Sequence, residues 1–151
     1  MVRNGSFAIL LLAVVGASPA AAESPAAREV VEAARSECTK EKGQFDASPG
    51  SITPIDLSGD GTPDEIVDAT KFACSTAVSL YCGTGGCPIT AIVDGKSIEL
   101  FGRGWMAMDW AGSKILLLDI HGSRCGANGT TRCFEAVTWS EGAFRSVAPA
   151  N

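Results

Sequence analysis

The chain has 151 residues, of which 46% are hydrophobic and 19% are charged. This size and composition exclude a disordered tail or a collagen-like fibre and are typical of one globular domain. Its 12 Lys and Arg residues against 17 Asp and Glu residues give a formal net charge of -5, without a basic block. The sequence therefore predicts no nucleic-acid partner.

The first 22 residues have the three parts of a secretory signal peptide. Arg3 supplies the positive charge, residues 7–15 form an apolar run, and a stretch of alanines ending at Ala22 offers small side chains to a peptidase. The run is much shorter than the roughly 20 apolar residues that cross a bilayer, and no later stretch is longer. We therefore predict a leader over 1–22, no membrane span, and a single exported domain over 23–151, periplasmic or secreted.

All six cysteines follow this leader, at Cys38, Cys74, Cys82, Cys87, Cys125 and Cys133. An even number of cysteines in an exported chain predicts three disulfide bonds. Short, glycine-rich segments favour local closure of Cys82 with Cys87 and of Cys125 with Cys133, which leaves Cys38 for Cys74. A zinc site is the alternative, but the chain has no Cys-x-x-Cys pair and its single histidine is distant.

The mature part begins with a predicted helix. Ser24 can cap a helix whose first residue is Pro25, and small apolar residues then recur at helical spacing up to Cys38. The helix is expected to end near Lys42, because Gly43 suits the left-handed position after a helix. The apolar stripe is narrow and mostly alanine, so we expect the helix to cover a sheet.

The rest of the chain is predicted to be mainly strands. Residues 44–54 contain two prolines and a glycine, which predicts a loop that becomes extended near Ile52. Asp94-Gly95 and Glu141-Gly142 mark two hairpins, and the apolar run 115–118 suggests a central strand covered on both faces. Eight candidate strands follow from composition and turn signals, over 65–69, 72–80, 89–93, 97–101, 105–110, 114–120, 134–139 and 143–147. The predicted fold is α+β, with one amino-terminal helix packed on a mainly antiparallel sheet or small barrel, stapled by disulfides.

One segment has a recognisable chemistry. Residues 56–64 read DLSGDGTPD, which puts oxygen-bearing side chains at loop positions 1, 3, 5 and 9 and glycine at position 6. Calcium takes several hard oxygen ligands, and this spacing can fold a tight loop around one centre. The predicted ligands are the carboxylates of Asp56, Asp60 and Asp64, the hydroxyl of Ser58 or a water bound to it, and the backbone carbonyl of Thr62.

This loop differs from an EF-hand. Position 12, which holds a bidentate Glu in an EF-hand, is Val67, with Glu65, Asp68 or water as candidates to fill the gap. Pro63 lacks the backbone amide that pairs EF-hands, and the prolines before the loop leave no room for an entering helix. The missing ligand predicts weak binding, with a dissociation constant on the order of 10⁻⁴ to 10⁻³ M.

The same residues resemble the D-x-[DN]-G-D-G-x-x-D loops of FG-GAP and related bacterial calcium-binding repeats, which run directly into a strand. Ser58 replaces the usual Asn or Asp, and the repeats themselves are absent, so the resemblance implies a calcium loop but no propeller. The remainder of the chain resembles small exported bacterial proteins of unassigned function. The residues that carry this likeness are Cys82 to Cys87 followed by Pro88, then Gly122-Ser123-Arg124-Cys125-Gly126, and a closing hairpin from Trp139 to Phe144. The alternative interpretation of the loop is a simple turn at Asp60-Gly61, with the other acids as solvated caps.

Two further groups have a weaker chemical signal. Asp119, His121 and Ser123 alternate along one strand end, where parallel side chains do not converge on one substrate atom, so we predict no catalytic residue. Alternation along 105–110 puts two methionines and Trp110 on one face and Trp105 with an acid on the other. Such a cluster is usually core, and the alternative is a sugar-binding or protein-binding face.

These features lead to three functional hypotheses. The first is a non-enzymatic exported domain, stapled by disulfides, in which calcium has a structural part. The second is an interaction module, such as an inhibitor of an extracellular enzyme, which requires the loops 82–87 and 125–133 to be exposed and close together. The third is a hydrolase, which requires a concave pocket that gathers acids from separate strands.

Overall fold

The structure, a computed structural model, describes residues 23–147. The predicted leader over 1–22 lies outside the described residues. Within them, one helix, α1 (Pro25–Lys40), precedes ten strands. The strands are β1 (Phe45–Ala47), β2 (Ile52–Ile55), β3 (Asp64–Asp68), β4 (Phe72–Cys74), β5 (Cys87–Val93), β6 (Lys96–Gly102), β7 (Gly104–Trp110), β8 (Ser113–Ile120), β9 (Cys133–Ser140) and β10 (Ala143–Ser146). Two short 3₁₀ helices span Ala69–Lys71 and Gly122–Cys125.

The helix begins where the sequence predicts. The hydroxyl of Ser24 accepts a hydrogen bond from the amide of Ala27 at 3.1 Å, and Pro25 occupies the first turn, where a missing N–H costs nothing. The backbone amide of Ser24 also donates to the carboxylate of Glu65 at 3.0 Å. This bond fixes the start of α1 to β3.

The helix ends slightly earlier than predicted, at Lys40. The left-handed residue after it is Lys42, with φ of 58°, and not Gly43. Glycine is needed at position 43 for a different reason, because a Cβ atom there would lie 2.7 Å from the sulfur of Cys38 and against that of Cys74. The glycine therefore makes room for a disulfide bond.

Antiparallel pairing connects every strand. One four-stranded sheet has the order β2-β3-β5-β6 and a second has the order β10-β9-β8-β7, while β1 and β4 form a small two-stranded sheet. We call the first the helix-covered sheet and the second the open sheet. The predicted α+β fold with antiparallel sheets is confirmed, as two packed sheets.

The main core lies between the two four-stranded sheets. Ile66 and Ile89 of the helix-covered sheet and Leu116 of the open sheet are fully buried there. On the opposite face of the helix-covered sheet, Val67 and Ile92 pack against the helix. Because successive residues of a strand point to opposite faces, β3 contributes to both clusters, and the helix-covered sheet is the middle layer of the molecule.

The prediction for the apolar run 115–118 is half right. The run lies in β8, which is central in the open sheet, but it is not covered on both faces. Leu116 and Leu118 are buried, whereas Ile115 and Leu117 on the outer face are only half-buried. The strands covered on both faces are β3 and β5, because α1 packs on their sheet and not on the open sheet.

Two predicted segments differ from the structure. The predicted strand over 72–80 is reduced to β4, and β1 forms inside the predicted loop to pair with it. An aromatic cluster explains the pairing, since the rings of Phe45, Phe72 and Tyr81 have edge-to-face contacts with centroids 5.2 to 5.9 Å apart. The Tyr81 hydroxyl also donates to the Ala34 carbonyl at 2.8 Å, which ties this cluster to the helix.

The three predicted disulfide bonds are present, with the predicted partners. Cys38–Cys74 joins α1 to β4, Cys82–Cys87 closes the loop before β5, and Cys125–Cys133 closes the loop before β9. The hairpins at 94–95 and 141–142 are also confirmed, with positive φ at both residues of each turn. Among residues 23–147, no helix has the length and apolar character to cross a membrane.

Candidate functional site

The acidic loop over 56–63 joins the edge strand β2 to β3. As the sequence predicts, it connects two extended segments. Gly59 and Gly61 adopt φ of 79° and 86°, a left-handed conformation that is costly for residues with a Cβ atom. Leu57 is buried in the main core. The loop is therefore anchored by one apolar side chain and curled by two glycines.

The carboxylate of Asp56 lies inside the curl. One of its oxygens accepts a hydrogen bond from the amide of Gly59 at 2.7 Å, and the other accepts from the amide of Gly61 at 3.0 Å. The hydroxyl of Ser58 lies 3.4 Å from the first oxygen. The side chain at loop position 1 thus holds the backbone of positions 4 and 6 around itself.

Asp64 closes the base of the loop. Its Oδ2 accepts hydrogen bonds from the amides of Leu57 and Ser58, both at 2.9 Å, and its Oδ1 lies 3.4 Å from the amide of Asp94 in the neighbouring hairpin. The residue is only 9% exposed. A buried carboxylate with charge-assisted bonds to several amides is an organising element of the fold.

Asp60 is the exposed carboxylate of the loop. It accepts a hydrogen bond from the amide of Thr62 at 2.6 Å. This bond is the main cause that lowers the pKa of Asp60 below its usual value. Desolvation opposes it, and the hydroxyls of Thr62 and Ser58 lower the pKa further. Asp60 is therefore charged at neutral pH, and it shares Ser58 as a neighbour with Asp56.

The oxygen donors of the loop are of the type that a hard cation takes, but its three carboxylates do not form a metal-binding group. In the described part of the chain, no group of three or more Asp, Glu, His or Cys side chains is close enough to hold a metal ion. The carboxylates instead bind backbone amides. Because each carboxylate has about four lone-pair sites, the bonds at Asp56 and Asp60 leave acceptor capacity for an ion.

The two acidic candidates for the missing ligand at loop position 12 already accept hydrogen bonds from other groups. Glu65 accepts the amide of Ser24 at the start of the helix. Asp68 accepts the amide of Thr70 at 2.9 Å and the indole N–H of Trp105 at 3.1 Å. Water is the remaining candidate for that position.

The structure brings His121 and Ser123 together but leaves Asp119 apart. The Nδ1 of His121 lies 2.7 Å from the Ser123 hydroxyl. Asp119 instead forms an ion pair with Arg103 at 2.7 Å. The histidine caps the second 3₁₀ helix, so the contact has a local structural explanation.

Arg103 is a residue that sequence reasoning missed. Besides its ion pair with Asp119, its guanidinium donates to the carbonyls of Ile120 at 3.0 Å and Gly129 at 3.2 Å. Its neighbour Gly102 lies against Gly86, where a Cβ atom would come within 2.6 Å of the Gly102 backbone. Residues 102–103 therefore link the loop 82–87 to the loop 125–133. In the sequence, this link is marked only by the two glycines that flank Arg103.

A cleft with a volume of about 400 Å³ lies between α1 and the helix-covered sheet. Its lining is mainly apolar and includes Val30, Val67 and Phe72. The two acids that reach it, Glu37 and Glu99, come from the helix and from a single strand. This cleft does not gather acids from separate strands, which the hydrolase hypothesis requires.

Comparisons of the chain with protein-family models, with curated proteins and with solved structures find no match. The likeness to FG-GAP loops therefore remains a resemblance of residues 56–64 alone.

Proposed function

We propose that this chain is an exported, disulfide-stapled domain with a binding rather than a catalytic role, in which the loop 56–64 takes up one calcium ion that stabilises the fold. The observation that carries the proposal is the position of Asp56, whose two carboxylate oxygens accept the amides of Gly59 and Gly61. The loop is thereby curled around a carboxylate.

The ion would be held by the donors that the sequence predicts. Asp56 and Asp60 supply carboxylates, Ser58 a hydroxyl or a bound water, and Thr62 its backbone carbonyl. Asp64 is the fifth predicted ligand. It lies at the base of the loop, which it supports by accepting hydrogen bonds from three backbone amides. Calcium tolerates such irregular oxygen shells and accepts water at open positions, and it would offset the repulsion among three acids within nine residues.

Thermal unfolding tests the proposal. Protein purified from the periplasm of an expression host is melted with excess calcium and with a chelator. At free calcium of about 100 times the dissociation constant, the linkage gain is about 2.7 kcal/mol, which corresponds to several degrees for a domain of this size. Asp60→Ala is expected to remove the difference, because it deletes an exposed ligand without disturbing the core.

Asp46→Ala is the matched control. Asp46 is also an exposed acid, but it lies in β1, away from the loop, so this variant should keep the full calcium response. Identical melting curves of the unmodified protein in calcium and in chelator would contradict the calcium site.

Export is supported by two independent features. The sequence predicts a leader that ends at Ala22, and all six cysteines are joined in disulfide bonds, which persist in oxidising compartments. A periplasmic or secreted location therefore agrees with the chemistry of the chain.

An interaction module is the second candidate, and one observation favours it. The loops 82–87 and 125–133 lie side by side through residues 102–103. Most residues of the second loop are exposed, whereas in the first loop the exposed residues are Gly83 and Thr84 at its tip. Both are closed by disulfide bonds. A rigid pair of adjacent loops is a suitable projection for an inhibitor of an extracellular enzyme, because little ordering entropy is lost on binding.

Site-specific photo-crosslinking tests this candidate in the periplasm. A crosslinker at the exposed positions Thr84 and Arg132, one in each loop, is expected to capture the same protein. The control position is Lys96, which is exposed at the opposite end of β5 and β6 and should capture nothing. Capture of unrelated proteins, or equal capture from Lys96, would count against the candidate.

A further inference from the structure

The outer face of the open sheet is apolar and exposed. The strand register places Met106, Leu117 and Ala136 in one row across β7, β8 and β9, and Met108, Ile115 and Thr138 in the next. Met106 is 57% exposed, Met108 41%, Trp110 65% and Phe134 52%. No helix or sheet among residues 23–147 covers them. The prediction of a core cluster over 105–110 is therefore wrong for this face, whereas Trp105 does point inward.

The strand at one edge of this sheet has little of the usual protection against further pairing. β7 is seven residues long and ends the strand order, so its outer edge has no partner strand in the described part of the chain. Edge strands are normally short or contain Pro or Lys. The other edges follow that rule, since β2 has four residues with Pro54, β10 has four residues, and β6 begins with Lys96. β7 is longer than β2 and β10 and contains neither Pro nor Lys. Its one charge, Asp109, lies next to its end and is paired with Lys114 of β8.

We infer that β7 pairs with β7 of a second copy of this chain, antiparallel and about a twofold axis at Ala107. This register puts Met106 of one copy opposite Met108 of the other, and Gly104 opposite Trp110. The two open sheets then form one continuous sheet of eight strands, four from each copy. This pairing involves β7 alone and does not depend on the loop 56–64.

The sequence of β7 is self-complementary in this register. Like charges directly opposite each other destabilise a strand pair. Asp109, the only charge of β7, falls opposite Trp105, so this register contains no such pair. The indole of Trp110 covers Gly104 of the other copy, an arrangement that compensates for glycine in a strand. The methionine pairs extend the apolar rows across the axis, and an isologous contact of this kind closes at two copies and does not propagate.

The net charge of the chain makes dimerisation depend on the salt concentration. Each chain has a formal net charge of -5, so two copies repel each other at long range. Because salt screens exposed charges beyond roughly 10 Å at 0.1 M, dimerisation is expected to strengthen as the salt concentration rises. A contact based on ion pairs would show the opposite dependence.

Charge substitutions on the exposed face of β7 test the register. The mass of the purified protein is followed against concentration by sedimentation equilibrium. Met106→Lys combined with Met108→Lys puts like charges opposite each other twice and should raise the dimer dissociation constant by about tenfold or more. Met106→Glu combined with Met108→Lys puts opposite charges there and should restore dimerisation.

Both double variants change the same exposed side chains, so they are matched in their effect on the monomer, and equal melting temperatures in dilute solution establish that both are folded. A protein that is monomeric at every concentration and salt overturns the inference. A dimer that resists the double-lysine variant, or one that is not restored by opposite charges, overturns this surface and register. Recovery of a monomer bound through β7 to a different protein also overturns it.

Discussion

Replacement of both Cys38 and Cys74 by alanine is expected to lower the free energy of unfolding by about 4 kcal/mol, according to the loop-entropy model. The bond spans a sequence separation of 36 residues, so its loss frees a long loop in the unfolded chain. It also releases the end of α1 from β4, beside the apolar cluster that holds the helix. Unfolding by denaturant, monitored by circular dichroism, measures the loss.

The bond between Cys82 and Cys87 provides the matched comparison. It closes a loop of only 5 residues in sequence separation, for which the same model gives about 2 kcal/mol. Replacing this pair by alanine should therefore cost roughly half as much as replacing the longer one. A larger loss from the short loop than from the long one would show that strain or packing, and not chain entropy, governs these bonds.

Asp64→Ala is expected to destabilise the protein by about 3 kcal/mol in the presence of chelator, because it removes a charged acceptor and leaves buried amides unpaired. The amides of Leu57 and Ser58 both depend on its Oδ2 at 2.9 Å. Since Asp64 is the first residue of β3, the loss extends from the loop to the strand. The melting temperature and denaturant midpoint measure it.

Two variants make this result specific. Asp64→Asn keeps one carbonyl oxygen as an acceptor and should lose much less stability than the alanine variant. Asp60→Ala, in the same loop but exposed and bound to one amide, should unfold in chelator like the unmodified protein. If Asp64→Ala and Asp60→Ala behave alike in chelator, Asp64 does not organise the loop.

The features that the sequence predicts best are those fixed by neighbouring residues. Ser24 and Pro25 specify the start of the helix, and Asp94-Gly95 specifies a hairpin, because caps and tight turns depend on local backbone geometry. The disulfide pairing also follows from short closures at Cys82 and Cys125. The turn at Ala111-Gly112 falls in the gap between the predicted strands 105–110 and 114–120, but the sequence does not mark it as a tight hairpin, because alanine, with φ of 49° here, has no sequence signal for that conformation.

The features that the sequence predicts poorly depend on what the rest of the fold covers. The run 115–118 has the apolar content of a doubly buried strand, but the single helix of the described residues packs on the other sheet and leaves Leu117 half-exposed. Met106 and Trp110 are exposed for the same reason. Their hydrophobicity alone did not distinguish a core from a contact surface.

The candidate site, too, is predicted only in its local features. The spacing of acids and glycines over 56–64 correctly indicates a curled loop that leads into a strand. It does not indicate which groups each side chain binds, and the carboxylates of Asp56 and Asp64 are directed to backbone amides. The contacts of Arg103 were not predicted either, because they join segments that are distant in sequence.

The position of β3 as a middle layer has a dynamic consequence. Ile66 points into the core between the sheets and Val67 toward the helix, and the strand begins at Asp64, where the acidic loop ends. Opening of this strand therefore exposes both hydrophobic clusters at once. An ion that orders the loop should therefore slow the exchange of amide hydrogens with deuterium throughout β3 and its neighbours β2 and β5. Binding at the surface would then be detected as protection of amides in the core.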